Sequence, residues 1–136
     1  MSDTAPLPFG GVLAFVLGGL LSAAFAPLAI FPLALLCPAA LLLLWERATP
    51  RHAAALGFWF GAGTFLAGTY WLYTSVHVFG KAPLWVAIGL MLSLVAIMGL
   101  YHALVGFIAA RWLPRSGLLR WLIALPALWV GVEWLR

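Results

Sequence analysis

Long apolar runs, separated by short polar or proline-containing stretches, make up most of this chain. About 20 consecutive apolar residues let a helix cross the hydrocarbon core of a membrane. The pattern predicts an all-α, polytopic integral membrane protein with about five transmembrane helices, which form one transmembrane domain over residues 1–136. The expected spans are 9–26, 28–45, 53–75, 84–110 and 121–136.

The first two spans are expected to form a helical hairpin. Pro27 lies between them, and proline is poorly tolerated inside a helix because it lacks an N–H and its ring clashes with the preceding turn. One helix through both runs would also be far too long for a bilayer. The first run has no basic segment before it and another apolar run follows at once, so we expect a retained span and not a signal peptide.

Polar and aromatic residues collect at the C-terminal end of the third run. Tyr70, Tyr73 and His77 are spaced three and four positions apart, so a helix places them on one face. Together with Trp71 they are candidates for lining a cleft for a lipid head group or acyl chain, and an imidazole can move protons or hold a phosphate. The alternative is an aromatic belt at the membrane–water interface without further function.

Three other features bear on packing. Trp45 stands beside the first polar loop and is expected to anchor its helix at the membrane interface. Pro126 is expected to kink the fifth span. Gly57, Gly61 and Gly68 form a stripe without side chains in the third run. Another helix can approach closely there.

Composition excludes a water-soluble fold. Hydrophobic residues make up 66% of the chain, charged residues 7%, and the mean hydropathy is +1.14, whereas soluble domains carry roughly 25% charged residues. The single cysteine, Cys37, excludes an intrachain disulfide and a multi-cysteine metal site, and no metal or cofactor is expected.

The net charge of +4 comes from basic residues between the apolar runs. This distribution is a topology signal and does not indicate a nucleic-acid surface. With the hairpin in place, the loops on the side of the N-terminus hold most of the basic residues, and the other side holds Lys81 and Arg136. The positive-inside rule then places the N-terminus in the cytoplasm and the Tyr70–His77 end outside. The basic loop residues are Arg47, Arg51, Arg111, Arg115 and Arg120.

Few residues could carry chemistry. Glu133 and Arg136 stand three positions apart near a helix end and are a candidate structural ion pair. Tyr101 and His102 lie inside the fourth span, where ionisable groups are functional candidates, although a histidine bonded to a neighbouring helix is an equal alternative. The chain contains no GxSxG, no HExxH and no glycine-rich phosphate loop, so no catalytic residue is assigned.

Several motifs, in their order, carry a resemblance to a known family. They are Ala24–Pro27, Phe31–Ala34, Gly57–Phe58, Gly68–His77, Phe79–Gly80, Ala124–Trp129 and Glu133–Arg136. From about residue 10 onward the chain resembles the N-terminal membrane part of the apolipoprotein N-acyltransferases.

The resemblance implies an enzyme of the bacterial inner membrane. That family transfers an acyl chain from a phospholipid to the diacylglyceryl-cysteine of a lipoprotein, through a thioester on a cysteine. The partners implied are the phospholipid donor, the lipoprotein acceptor and membrane lipids. The family's catalytic Glu, Lys and Cys belong to a nitrilase-like domain that follows the membrane helices, and Cys37 matches none of their positions.

We therefore expect this chain to be a fragment of a longer protein and to be inactive alone. Two alternatives remain at this point. A small multi-pass transporter or channel subunit would use Glu133, His102 and His77 along a polar path. A truncated homologue would act as a non-catalytic membrane scaffold.

Overall fold

The protein is described by a computed structural model over residues 9–25, 28–46, 48–113 and 117–135. All regular secondary structure in these ranges is helical, which confirms the all-α fold class. Two π-helical turns, Ser75–Phe79 and Arg120–Ala124, stand after α4 and before α6. The helices are α1 Gly10–Ser22, α2 Pro32–Glu46, α3 Pro50–Gly68, α4 Tyr70–Thr74, α5 Leu84–Trp112 and α6 Leu125–Leu135.

Backbone hydrogen bonds join the described residues that follow α1 to those that precede α2. The Ile30 N–H donates to the Ala23 carbonyl over 3.1 Å, and the two helices contact each other. The turn predicted at Pro27 lies outside the described residues. The second helix begins at Pro32, inside the predicted span 28–45, because a proline suits the first turn of a helix, where its missing N–H leaves no bond unmade.

The central helix is α3, which packs on α1 with one face and on α5 with another. Glycines make both contacts close: a Cβ added to Gly63 would lie 2.1 Å from the Phe15 carbonyl oxygen. Small residues that let helix backbones approach are typical of helix packing in membranes. Gly57 and Gly61 do meet α5, as predicted, whereas a Cβ on Gly68 would meet nothing within 4 Å.

The third predicted span is not one continuous helix. It breaks at Thr69, whose N–H and hydroxyl both donate to the Phe65 carbonyl. A hydroxyl that bonds to the backbone competes with regular helix geometry, and Gly68 before it has a low helix propensity. Helical structure resumes at Tyr70 and continues past the predicted end, through Phe79.

The prediction that Trp45 anchors α2 at the membrane interface is wrong. Its side chain is 1% exposed and belongs to the core. It fits there because Gly106 on α5 has no side chain: a Cβ at Gly106 would lie 2.9 Å from Trp45 Cζ2. On another side, the indole stands 6.5 Å from the ring of Trp129.

A departure from regular α-helix geometry occurs beside Pro126, where a kink was expected. The Leu125 N–H donates to the Arg120 carbonyl, five residues back, which widens the turn that precedes the proline. Arg120 itself is 2% exposed, so it is a buried residue of this turn and not the end of an open basic loop.

One helix has the dimensions of a membrane span. Helix α5 has 29 residues, and an 18-residue stretch within it has a mean hydropathy of 2.2, so the helix is long and apolar enough to cross a membrane. Within the described ranges it is the single helix that meets both criteria, while α1 and α2 are apolar but shorter.

Candidate functional site

The predicted polar end of the third run forms a stack of rings on one helix face. The rings of Tyr70 and Tyr73 lie 6.5 Å apart with planes 30° from parallel, and those of Tyr73 and His77 lie 5.5 Å apart at 25°. The structure thus brings three of the four predicted residues together. Trp71 is 63% exposed, and among the described residues no ring contact joins it to the stack.

His77 is held in one tautomer. Its Nδ1 lies 3.0 Å from the carbonyl oxygen of Ala82, and a carbonyl only accepts hydrogen bonds. Nδ1 of the neutral ring therefore carries the proton, and Nε2 keeps its lone pair for a hydrogen bond or a proton. The same turn is closed by the Ala82 N–H, which donates to the Val76 carbonyl over 3.2 Å.

The segment Tyr70–Phe79 is helical but has no buried residue. It presents large apolar side chains together with one cation, Lys81, in the turn that follows. Lys81 is the only Lys, Arg, Asp or Glu between residues 70 and 110, and sequence reasoning used it for topology but not as a binding residue. The exposed large side chains at this end are Tyr70, Trp71, Val78, Phe79, Leu84 and Trp85.

His102, the second predicted candidate, lies in an aromatic cluster. Its ring is 5.3 Å from that of Trp129 and 6.0 Å from those of Phe60 and Phe65. Its Nδ1 lies 3.0 Å from the Met98 carbonyl oxygen, so Nδ1 donates along its own helix. The sequence marked His102 but not its ring partners on α3 and α6, because only the fold brings them together.

The remaining candidates have no ring contact with these two clusters among the described residues. Glu133 is on the exposed side of α6, and Arg136 lies outside the described residues, so their predicted ion pair is not described. Cys37 is 1% exposed in the core. Tyr101 lines an apolar surface groove of about 400 Å³ with Ile97, Leu100 and Leu104.

Within the described ranges no three His, Cys, Asp or Glu side chains are grouped as metal ligands.

The arrangement suits binding better than covalent chemistry. The cluster formed by Tyr70, Tyr73, His77 and the nearby Lys81 offers tyrosine hydroxyls, one imidazole acceptor and one ammonium group beside exposed apolar rings. These groups match an amphiphile with a polar head and an apolar tail, because each half of such a molecule meets its own kind of surface. Cys37, the thiol of the chain, is enclosed in the core and far along the chain from this cluster.

The chain is similar to known proteins over most of its length. Residues 17–136 match the family described as apolipoprotein N-acyltransferase N-terminal domain. A relative named apolipoprotein N-acyltransferase from Vibrio parahaemolyticus is 39% identical over 90% of this chain and 24% of its own length. Relatives of the same name from Chromobacterium violaceum and Coxiella burnetii are 44% and 40% identical, over 83% and 92% of this chain.

The chain spans about a quarter of the length of these relatives. The matched residues nevertheless include every helix from α2 to α6 and both clusters described above. The chain belongs to the apolipoprotein N-acyltransferase family, of which it represents the N-terminal domain.

Proposed function

We propose that this chain is the membrane domain of a bacterial enzyme that transfers an acyl chain from a phospholipid to the N-terminal diacylglyceryl-cysteine of lipoproteins. The observation that carries the proposal is the family match over residues 17–136. The relatives are acyltransferases by name. The catalytic Glu, Lys and Cys lie outside these residues in this proposal, so the chain alone has no transferase activity.

The domain is a multi-pass unit of the inner membrane, with about five spans and a cytoplasmic N-terminus. The exposed apolar side chains on each long helix support this, because water would penalise such a surface and lipid would not. Leu35 on α2 is 79% exposed and Leu100 on α5 is 61% exposed. The spans follow the predicted intervals, with the third interrupted at Thr69.

Tyr70, Trp71, Tyr73 and His77 contact the lipid substrates at the outer surface. This assignment is supported by the ring stack, the lone pair on His77 Nε2 and the exposed apolar surroundings.

The transporter alternative requires Glu133, His102 and His77 along one polar path. The aromatic rings that enclose His102 give this alternative no support.

Acyl transfer is tested with the native protein extracted from its own membrane. A phospholipid with a labelled acyl chain and a diacylglyceryl-modified lipopeptide are supplied, and label on the lipopeptide is measured. Transfer by the native protein, with none from residues 1–136 alone, is the expected result. A native mass near 14.7 kDa together with no transfer overturns the proposal and favours a scaffold.

Orientation is tested separately with cysteines introduced in a Cys37→Ala background. Phe79→Cys places an exposed thiol at the end of the π-helical segment that precedes α5. Trp112→Cys places an exposed thiol at the C-terminal end of α5. In spheroplasts a membrane-impermeant maleimide is expected to label Phe79→Cys, and Trp112→Cys only after lysis. The opposite pattern would reverse the orientation.

A further inference from the structure

Lys81 lies in the turn between the π-helical segment Ser75–Phe79 and α5. It is exposed, and it directly precedes Ala82, whose carbonyl oxygen receives the hydrogen bond from His77 Nδ1. Its φ of 52° lies in the left-handed region, which residues with a side chain rarely occupy. In the chain, Lys81 is therefore the direct neighbour of the residue whose carbonyl oxygen orients the His77 imidazole.

Large apolar side chains flank this single cation. Phe79 is 80% exposed on one side along the chain and Trp85 is 76% exposed on the other. The sequence places no carboxylate between residues 70 and 110 that could pair with Lys81. A positive charge within an apolar aromatic surface complements an anionic head group whose acyl chains lie against the rings.

We infer that Lys81 binds the phosphate of an anionic phospholipid, with His77 beside it. The Lys81 ammonium supplies a compact charge with three donors. His77 Nε2, which keeps its lone pair because Nδ1 donates to Ala82, accepts a hydrogen bond from a head-group hydroxyl. This inference rests on the proposed function, since it names the residue that holds the head group at that same outer surface.

The experiment measures lipid binding to the native protein by native mass spectrometry from detergent, with phosphatidylglycerol as the probe. Lys81→Asn removes the charge and suits the turn, because asparagine tolerates left-handed φ values. Lys81→Arg keeps the charge. Arg111→Asn is the matched control, since it removes an exposed cation from the other end of α5. Diacylglycerol serves as the probe without phosphate.

Lys81→Asn is expected to weaken phosphatidylglycerol binding about fivefold, the effect of one basic residue near a lipid surface. Lys81→Arg and Arg111→Asn are expected to bind as the parent does, and diacylglycerol binding is expected to be the same in all variants. Circular dichroism confirms that each variant is helical.

Three results would overturn the inference. They are unchanged binding in Lys81→Asn, an equal loss in Arg111→Asn, and displacement of the lipid by inorganic phosphate at equal concentration, which would indicate a free-phosphate site. The measurement does not depend on acyl transfer. A protein without transferase activity that still shows the Lys81 effect would overturn the proposed function alone.

Discussion

Gly57 on α3 lies directly against the backbone of His102 on α5. A Cβ added to Gly57 would stand 2.3 Å from the His102 carbonyl oxygen and 3.2 Å from the Cα of Ala103. Backbone atoms cannot rotate away as the end of a flexible side chain can. Any side chain at this position therefore forces α3 and α5 apart.

We expect Gly57→Ala to destabilise the protein by about 1–3 kcal/mol or more, the usual effect of overpacking a close contact. The control is Gly89→Ala on α5, where an added Cβ meets nothing within 4 Å and alanine improves helix propensity by up to about 1 kcal/mol. Thermal unfolding in detergent, followed by circular dichroism, compares the two. Equal melting temperatures would contradict the close contact.

The interface between α1 and α3 offers a matched pair of neighbouring glycines. A Cβ on Gly18 would lie 1.9 Å from the Phe60 carbonyl oxygen, whereas on Gly19 the nearest such atom is the Gly63 carbonyl oxygen at 4.0 Å. Gly18→Ala is therefore expected to lower the melting temperature markedly, and Gly19→Ala to leave it nearly unchanged. A larger loss in Gly19→Ala would mean that a different face of α1 packs on α3.

Replacing His102 should affect the contact of three helices at once. His102→Ala removes the ring that meets Phe60 and Trp129 and leaves a cavity, at a cost of about 2–4 kcal/mol. His102→Phe keeps a ring and loses the hydrogen bond to the Met98 carbonyl, so a smaller loss of about 1 kcal/mol is expected. Chemical denaturation in detergent measures both.

The half-buried His52 at the start of α3 provides the control for that comparison. His52→Ala is expected to change the free energy of unfolding by less than about 0.5 kcal/mol, because the hydrogen bond from His52 to the Thr49 hydroxyl uses the backbone N–H, which alanine keeps. A loss in His52→Ala as large as that in His102→Ala would argue against the aromatic cluster as a point of helix contact.

Cys37 should resist thiol reagents while the protein is folded, because its side chain is 1% exposed in the core. A small maleimide is expected to label the folded protein slowly and the denatured protein fully, as measured by mass spectrometry. In a Cys37→Ala background, Phe79→Cys is the positive control, since position 79 is 80% exposed. Rapid labelling of folded Cys37 would refute its burial.

Local patterns sufficed for much of the fold. The apolar runs predicted helices, and the spacing of Tyr70, Tyr73 and His77 predicted a shared face, because helix periodicity alone decides which residues lie on one side. The ring stack confirms that face. The motif order identified the family, and the comparison confirms it.

Other features depended on contacts between distant parts of the chain. Trp45 stands at the end of an apolar run, where a surface anchor was expected, yet Gly106 leaves the space that buries it. Arg120 was expected in a basic loop and is enclosed by the fold. At the break, the Thr69 hydroxyl adds a second hydrogen bond to the Phe65 carbonyl that its N–H already uses, and composition does not reveal this.

The sequence by itself determined that the chain is helical and apolar, and which family it belongs to, because hydrophobicity, periodicity and motif order are properties of neighbouring residues. Only the tertiary structure decided which glycines meet a backbone and which rings surround His102. Those contacts join residues far apart in the chain, and they exist only once α3 has packed between α1 and α5.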